Sequence, residues 1–161
     1  MTKKAELNTG LAQSSQDEEA RLLNTLLADE YLLYTKTRNY HWNVVGPHFH
    51  ELHKFFEAQY EILDESIDDI AERARSLGAN SVGTLTEFLK LTRLREQPER
   101  YPEARQMLED LLADHETIIR SLRTDVDECT DTYHDVGTAD FLTGLMEGHE
   151  KMAWMIRAFL L

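Results

Sequence analysis

A single cysteine, Cys129, excludes an internal disulfide and any Cys-based zinc or iron–sulfur cluster held by one chain. Proline and glycine are scarce, at 3 and 7 of 161 residues, so long segments run without a breaker. No stretch approaches the ~20 consecutive apolar residues that cross a bilayer, and the opening MTKKAELNTGLAQSSQDEEA lacks the apolar centre of a secretory signal. The expected location is therefore cytoplasmic, with no membrane partner. Positive charge is also in short supply: 17 Lys+Arg against 30 Asp+Glu leave a net charge of −13. That balance disfavours a basic surface that grips phosphate and suits a protein that attracts cations. What is abundant is ordinary globular material, 42% hydrophobic and 29% charged, enough for one domain with a real core.

The periodicity is helical throughout, so the fold class is all-α. From about Asp17 to Val45, Leu22, Leu23, Leu26, Leu27, Tyr31, Leu33, Tyr34 and Tyr40 recur at steps of three and four. Gly46-Pro47 ends that helix, and Pro47 suits the first turn of a second one running through Leu52, Phe56, Leu63 and Ile70 to Gly78, a residue suited to the C′ position. Thr84 to Leu91 reads as a short helix inside a long connection. A third long helix follows Pro102 to about Thr130, and a fourth starts at Thr138. Four long helices joined by one long crossover describe a ferritin-like bundle. The expected division is a mobile tail over residues 1–16 and a bundle domain over 17–161.

The second helix carries His53 and Glu57 at i, i+4, then Asp68 and Glu72 at i, i+4. At about 100° per residue all four lie within one stripe, so each pair can form half of a metal site. Their heights differ, because 15 residues separate His53 from Asp68, about 22 Å along a helix against roughly 2 Å for a metal–ligand bond. One chain cannot close the site. A second copy packed antiparallel across a twofold axis brings His53 and Glu57 of one chain level with Asp68 and Glu72 of the other. His41, at the end of the first helix, joins them through the Gly-Pro turn. The competing reading of the same spacing is a solvated charged face. A di-iron site within one chain needs Glu-x-x-His elements, and no histidine here has Glu three residues before it.

The run NYHWNVVGPHFHELHKFFEAQYEILDESIDDIAERARSLGA, residues 39–79, resembles the signature of the Dps family, the miniferritins named as DNA-binding proteins from starved cells. DVGTADFLTGLMEGHEKMAWMIRAFL near the C-terminus is similar as well. The resemblance implies a four-helix subunit with a short helix in its crossover. It also implies a homododecamer that oxidises Fe(II), preferably with hydrogen peroxide rather than dioxygen, and stores the ferric mineral inside as protection against oxidative stress. Matched position by position, His41, His53 and Glu57 are ligands from one subunit and Asp68 and Glu72 from its partner across the twofold interface. Glu57 stands where the family often has Asp, so it binds directly, through water, or only to a second iron. Zinc is a potential competitor for such a site.

Trp42, beside His41, is a candidate electron donor, with core packing as the equal alternative. His50 could extend the site or lie exposed, and His115, His134 and His149 read as ordinary polar or core positions. Glu61, Asp64 and Glu65 either line the cavity or are solvated. Asp135 and Asp140 fall in a segment resembling the family's acidic threefold pore, and Asp140 alternatively serves the start of the fourth helix. The tail offers only Lys3 and Lys4 as basic side chains, so weak or no DNA binding is expected. The rival function is a non-catalytic shell that compacts or protects the nucleoid.

Overall fold

The computed structural model describes residues 7–161, and every regular element in it is helical. Lys3 and Lys4, the basic part of the expected tail, lie outside the described residues. Helix α1 spans Gln13–Asn43, α2 Phe49–Ser76, a short α3 Leu85–Leu91, α4 Ala104–Glu128 and α5 Val136–Leu160, with a π turn Cys129–Tyr133 between the last two. Helix α1 pairs with α2 and α4 pairs with α5, while α3 in the crossover lies against α1. Four long helices and a short crossover helix make the ferritin-like bundle that the periodicity called for.

The apolar stripes meet in one core, in which Leu23, Leu26, Leu33, Phe56, Leu63, Ile70, Leu111, Ile118, Leu122, Leu142 and Ile156 are all buried. Burial of such side chains, at roughly 1.5–3 kcal/mol each, is what holds helices that propensity alone would leave marginal. Gly78 sits at φ 80° just past α2, in the left-handed region that favours glycine, and a Cβ there would strike Leu7. Helix α2 begins at Phe49, so Pro47 lies in the turn before the helix rather than in its first turn.

The crossover is fastened by a charge. Asp29 of α1, buried, accepts from the Thr92 hydroxyl at 2.9 Å and from the Arg93 backbone N–H and Nε at 2.6 Å each. A capping box starts α3, with Thr84 accepting from the Glu87 N–H and Glu87 accepting from the Thr84 N–H.

A second polar group lies in the centre of the bundle. His149 of α5 bonds through Nε2 to Glu30 of α1 at 2.6 Å and through Nδ1 to Nδ1 of His115 on α4 at 2.9 Å. All three residues are buried, which makes His115 and His149 core positions, and His134 is exposed.

Candidate metal centre

His41 is in the last turn of α1, where backbone carbonyls have no partner within the helix. The turn at Gly46, φ 116°, brings α2 back alongside, and His53 lies in its second turn. The two histidines then bond reciprocally to each other's backbone: His41 Nδ1 donates to the His53 carbonyl at 2.7 Å, and His53 Nδ1 donates to the His41 carbonyl at 2.8 Å. A carbonyl only accepts, so each Nδ1 carries the hydrogen, and in the neutral ring the lone pair falls on Nε2. This is the tautomer a metal ligand requires, fixed before any ion arrives. The rings stack at 3.8 Å between centroids and 19° between planes, with Phe49 stacked on His53 and Tyr60 set edge-on to His41 at 5.3 Å.

Glu57 is one turn beyond His53, half-buried, and its carboxylate takes the Lys54 ammonium at 2.6 Å. That bond holds the Glu57 carboxyl below the usual carboxylate range, with smaller contributions in the same direction from the charge of Lys54 and from His41 and His53. Trp42 is 63% exposed, so within one chain it is not a core residue. Its ring lies 5.0 Å from the Arg38 guanidinium, which also sits over Tyr34 at 5.5 Å and Tyr60 at 5.1 Å. Arg38, Tyr60 and Phe49 were not singled out from the sequence. A signal for two of them was there, since Arg38 is three residues before His41 and Tyr60 seven after His53, each on its histidine's face.

Asp68 and Glu72 are exposed in the second half of α2, and His50, Glu61, Asp64 and Glu65 are exposed on the same helix. Among the described residues no group of three His, Cys, Asp or Glu side chains is gathered so that it could hold a metal ion. The single chain thus brings His41 and His53 together, with Glu57 beside them, and leaves Asp68 and Glu72 apart. Asp140 is exposed as well, whereas Asp135 caps α5 by accepting from the Gly137 and Thr138 N–H groups at 2.9 and 3.2 Å. The helix-start role considered for Asp140 is therefore filled by Asp135, because α5 begins two residues earlier than the sequence suggested.

A family model described as a ferritin-like domain matches residues 20–161. The DNA protection during starvation protein 2 of Bacillus anthracis is 39% identical over 140 residues, 86% of this chain and 94% of that protein. The chain belongs to the Dps family of ferritin-like proteins. Identity rises to 50% over 154 residues, covering 96% of this chain and 86% of the other, with an uncharacterised low temperature-induced protein of Nostoc sp.. A Dps crystal structure from Vibrio cholerae, described as a member of a superfamily of ferritin-like diiron-carboxylate proteins, superposes with a TM-score of 0.91 at 29% identity over 100% of both chains. Among the described residues of this Dps chain, no helix is long and apolar enough to cross a membrane.

Proposed function

We propose that this Dps protein is a ferroxidase and iron store, with its oxidation sites at the twofold interface between two copies in a homododecamer. The observation that carries the reading is the reciprocal His41–His53 pair, which prepares two Nε2 lone pairs while the carboxylates able to complete a site stand exposed farther along α2. Asp68 and Glu72 of a second, antiparallel copy supply them, and Glu57 adds a carboxylate once Lys54 is displaced. The donor set fits iron: imidazole suits Fe(II), and hard carboxylates favour the Fe(III) product. Fe(II) is the substrate and gives up one electron per ion. Hydrogen peroxide is the preferred oxidant and takes two electrons, which is why a site that gathers two irons limits hydroxyl radical formation.

Within the chain, the residues bind and orient. The carbonyl bonds at Nδ1 keep His41 and His53 from rotating, and the stacked Phe49 and edge-on Tyr60 shield the rings from water on those sides. Trp42, exposed beside His41, is the proposed source of a further electron when one iron is bound alone. The acidic chain, at −13, draws cations toward the shell and repels phosphate, so DNA binding at physiological salt is weak or absent. Zinc, with the same preference for imidazole and carboxylate, competes for the site. The cytoplasm is its proposed location.

Stopped-flow Fe(II) oxidation on protein of known assembly mass tests the proposal, with peroxide compared against dioxygen. Asp68→Ala and Glu72→Ala are expected to assemble normally and to lose rapid oxidation. Rates in the unaltered protein no faster than in buffer would overturn the ferroxidase and leave a protective shell.

A further inference from the structure

Away from the histidine pair, at the opposite end of α2, the starts of α1 and α5 and the π turn meet around a poorly accommodated carboxyl group. Glu19 of α1 is fully buried, and its carboxyl oxygens find no nitrogen or oxygen donor; the only group that offers it a hydrogen bond is the weakly donating Cys129 thiol. An ionised carboxylate in that condition is among the most unfavourable groups a protein interior can hold. The groups facing it are few. Asp135 and Cys129 approach from the segment that links α4 to α5, Arg73 approaches from α2, and Asp125 of α4 acts on Cys129 from behind.

Among the described residues Arg73 is the only cation facing it, and it is already engaged. Its Nη2 donates to Asp135 Oδ2 at 2.8 Å and to the Thr138 hydroxyl at 2.8 Å, and its Nε donates to the same hydroxyl at 3.1 Å. Asp135 in turn caps α5, and its N–H donates to the Cys129 carbonyl at 3.0 Å, closing the π turn. His134, between them, is held at φ 58°, in the left-handed region. The joint is therefore balanced for one carboxylate, Asp135, and one guanidinium. A second negative charge at Glu19 has either to remain buried unpaired or to draw Arg73 away from the cap of α5.

We propose that Glu19 is a proton-operated lock on this joint: with the carboxyl protonated the joint is closed over Cys129, and loss of the proton loosens the π turn and the start of α5. The setting of the lock falls in the physiological range. Burial first, and the charge of Asp135 second, push the Glu19 carboxyl up to about 7, against smaller opposing effects of the Cys129 thiol hydrogen bond and the Arg73 charge. The sign follows from proton counting. The closed joint holds a proton that the opened, solvated carboxyl releases, so closure is fully favoured below the ordinary carboxylate range and weakens as pH rises to about 7. Above that value the closed form has also lost the proton, and the effect levels off. The lock does not depend on the assignment of the iron site.

Amide hydrogen exchange over residues 129–140 of the assembled, full-length protein tests it, between pH 5 and pH 8 and normalised for the intrinsic pH dependence of exchange. Protection in the unaltered protein is expected to fall roughly 40-fold from pH 5 to pH 7 and then to flatten. In Glu19→Gln, which presents a neutral side chain of the same size, the profile is expected to be flat. Identical profiles in the two proteins would overturn the lock. Should the variant fail to assemble, infrared spectroscopy on the unaltered protein decides: one protonated-carboxyl stretch must disappear with a midpoint near pH 7, and its absence, or its loss with the ordinary carboxylates, would overturn the proposal equally.

Discussion

Two histidine pairs lie in this bundle and differ in what their Nδ1 atoms touch. At the α1–α2 turn, each Nδ1 meets a backbone carbonyl, so the ring's proton is consumed by the fold and Nε2 is left for a ligand. In the centre, the Nδ1 atoms of His115 and His149 meet each other at 2.9 Å, which bonds only if one carries a hydrogen and the other a lone pair. His149 then spends Nε2 on Glu30, leaving Nε2 of His115 and Oε2 of Glu30 without partners in the interior. Burial, and after it the neighbouring His149, holds His115 well below the ordinary imidazole value. The same side chain thus prepares a binding site when paired to backbone and a fixed core contact when paired to its own kind.

The comparison breaks most visibly in the core. Glu30→Ala removes the acceptor of a buried His149 and is expected to destabilise the bundle by about 3–5 kcal/mol, read as a lowered urea midpoint at constant slope. Iron oxidation by the protein that remains folded should be unchanged. A loss of oxidation in folded Glu30→Ala would show that the central group serves the reaction and that the two pairs are not separate.

At the outer pair the expectation reverses. In His53→Asn the side-chain amide N–H lies close to where Nδ1 was and keeps the bond to the His41 carbonyl, but nothing replaces Nε2. Stability should change by less than about 1 kcal/mol, the range of one hydrogen bond, while Zn(II) affinity measured by calorimetry on the assembled protein falls at least tenfold. Unchanged Zn(II) affinity would remove His53 from the site.

The contrast between the pairs was only half readable from the sequence. His41 and His53 flank a Gly-Pro turn, a local relation that spacing expresses, and the four long helices followed from apolar steps of three and four. The central group is not local. Glu30 and His149 are 119 positions apart, and each interrupts an apolar stripe as a single polar residue, which periodicity scores as noise rather than as a pair. Glu19 and Asp29 were hidden in the same way: both stand in a helix rich in charged residues, and only the packing of α2, the crossover and the π turn buries them. The start of α1 at Gln13 was missed because the residues that begin it are polar, although Gln16 is buried and reaches Thr9 at 3.1 Å.

The smallest effect sharpens the outer pair alone. Lys54 holds the Glu57 carboxylate from one turn away on the same helix, and both side chains are partly open to solvent. A pair this open to solvent is held weakly, and a metal must overcome it before Glu57 can bind. Lys54→Gln is therefore expected to raise Zn(II) affinity by no more than about fivefold, with stability almost unchanged. Raising the salt concentration should narrow the difference between the variant and the unaltered protein, since added ions screen the attraction between Lys54 and Glu57. If Lys54→Gln leaves the affinity where it was, Glu57 does not contribute to the first metal bound, and the carboxylates at the interface come from Asp68 and Glu72 of the second copy alone.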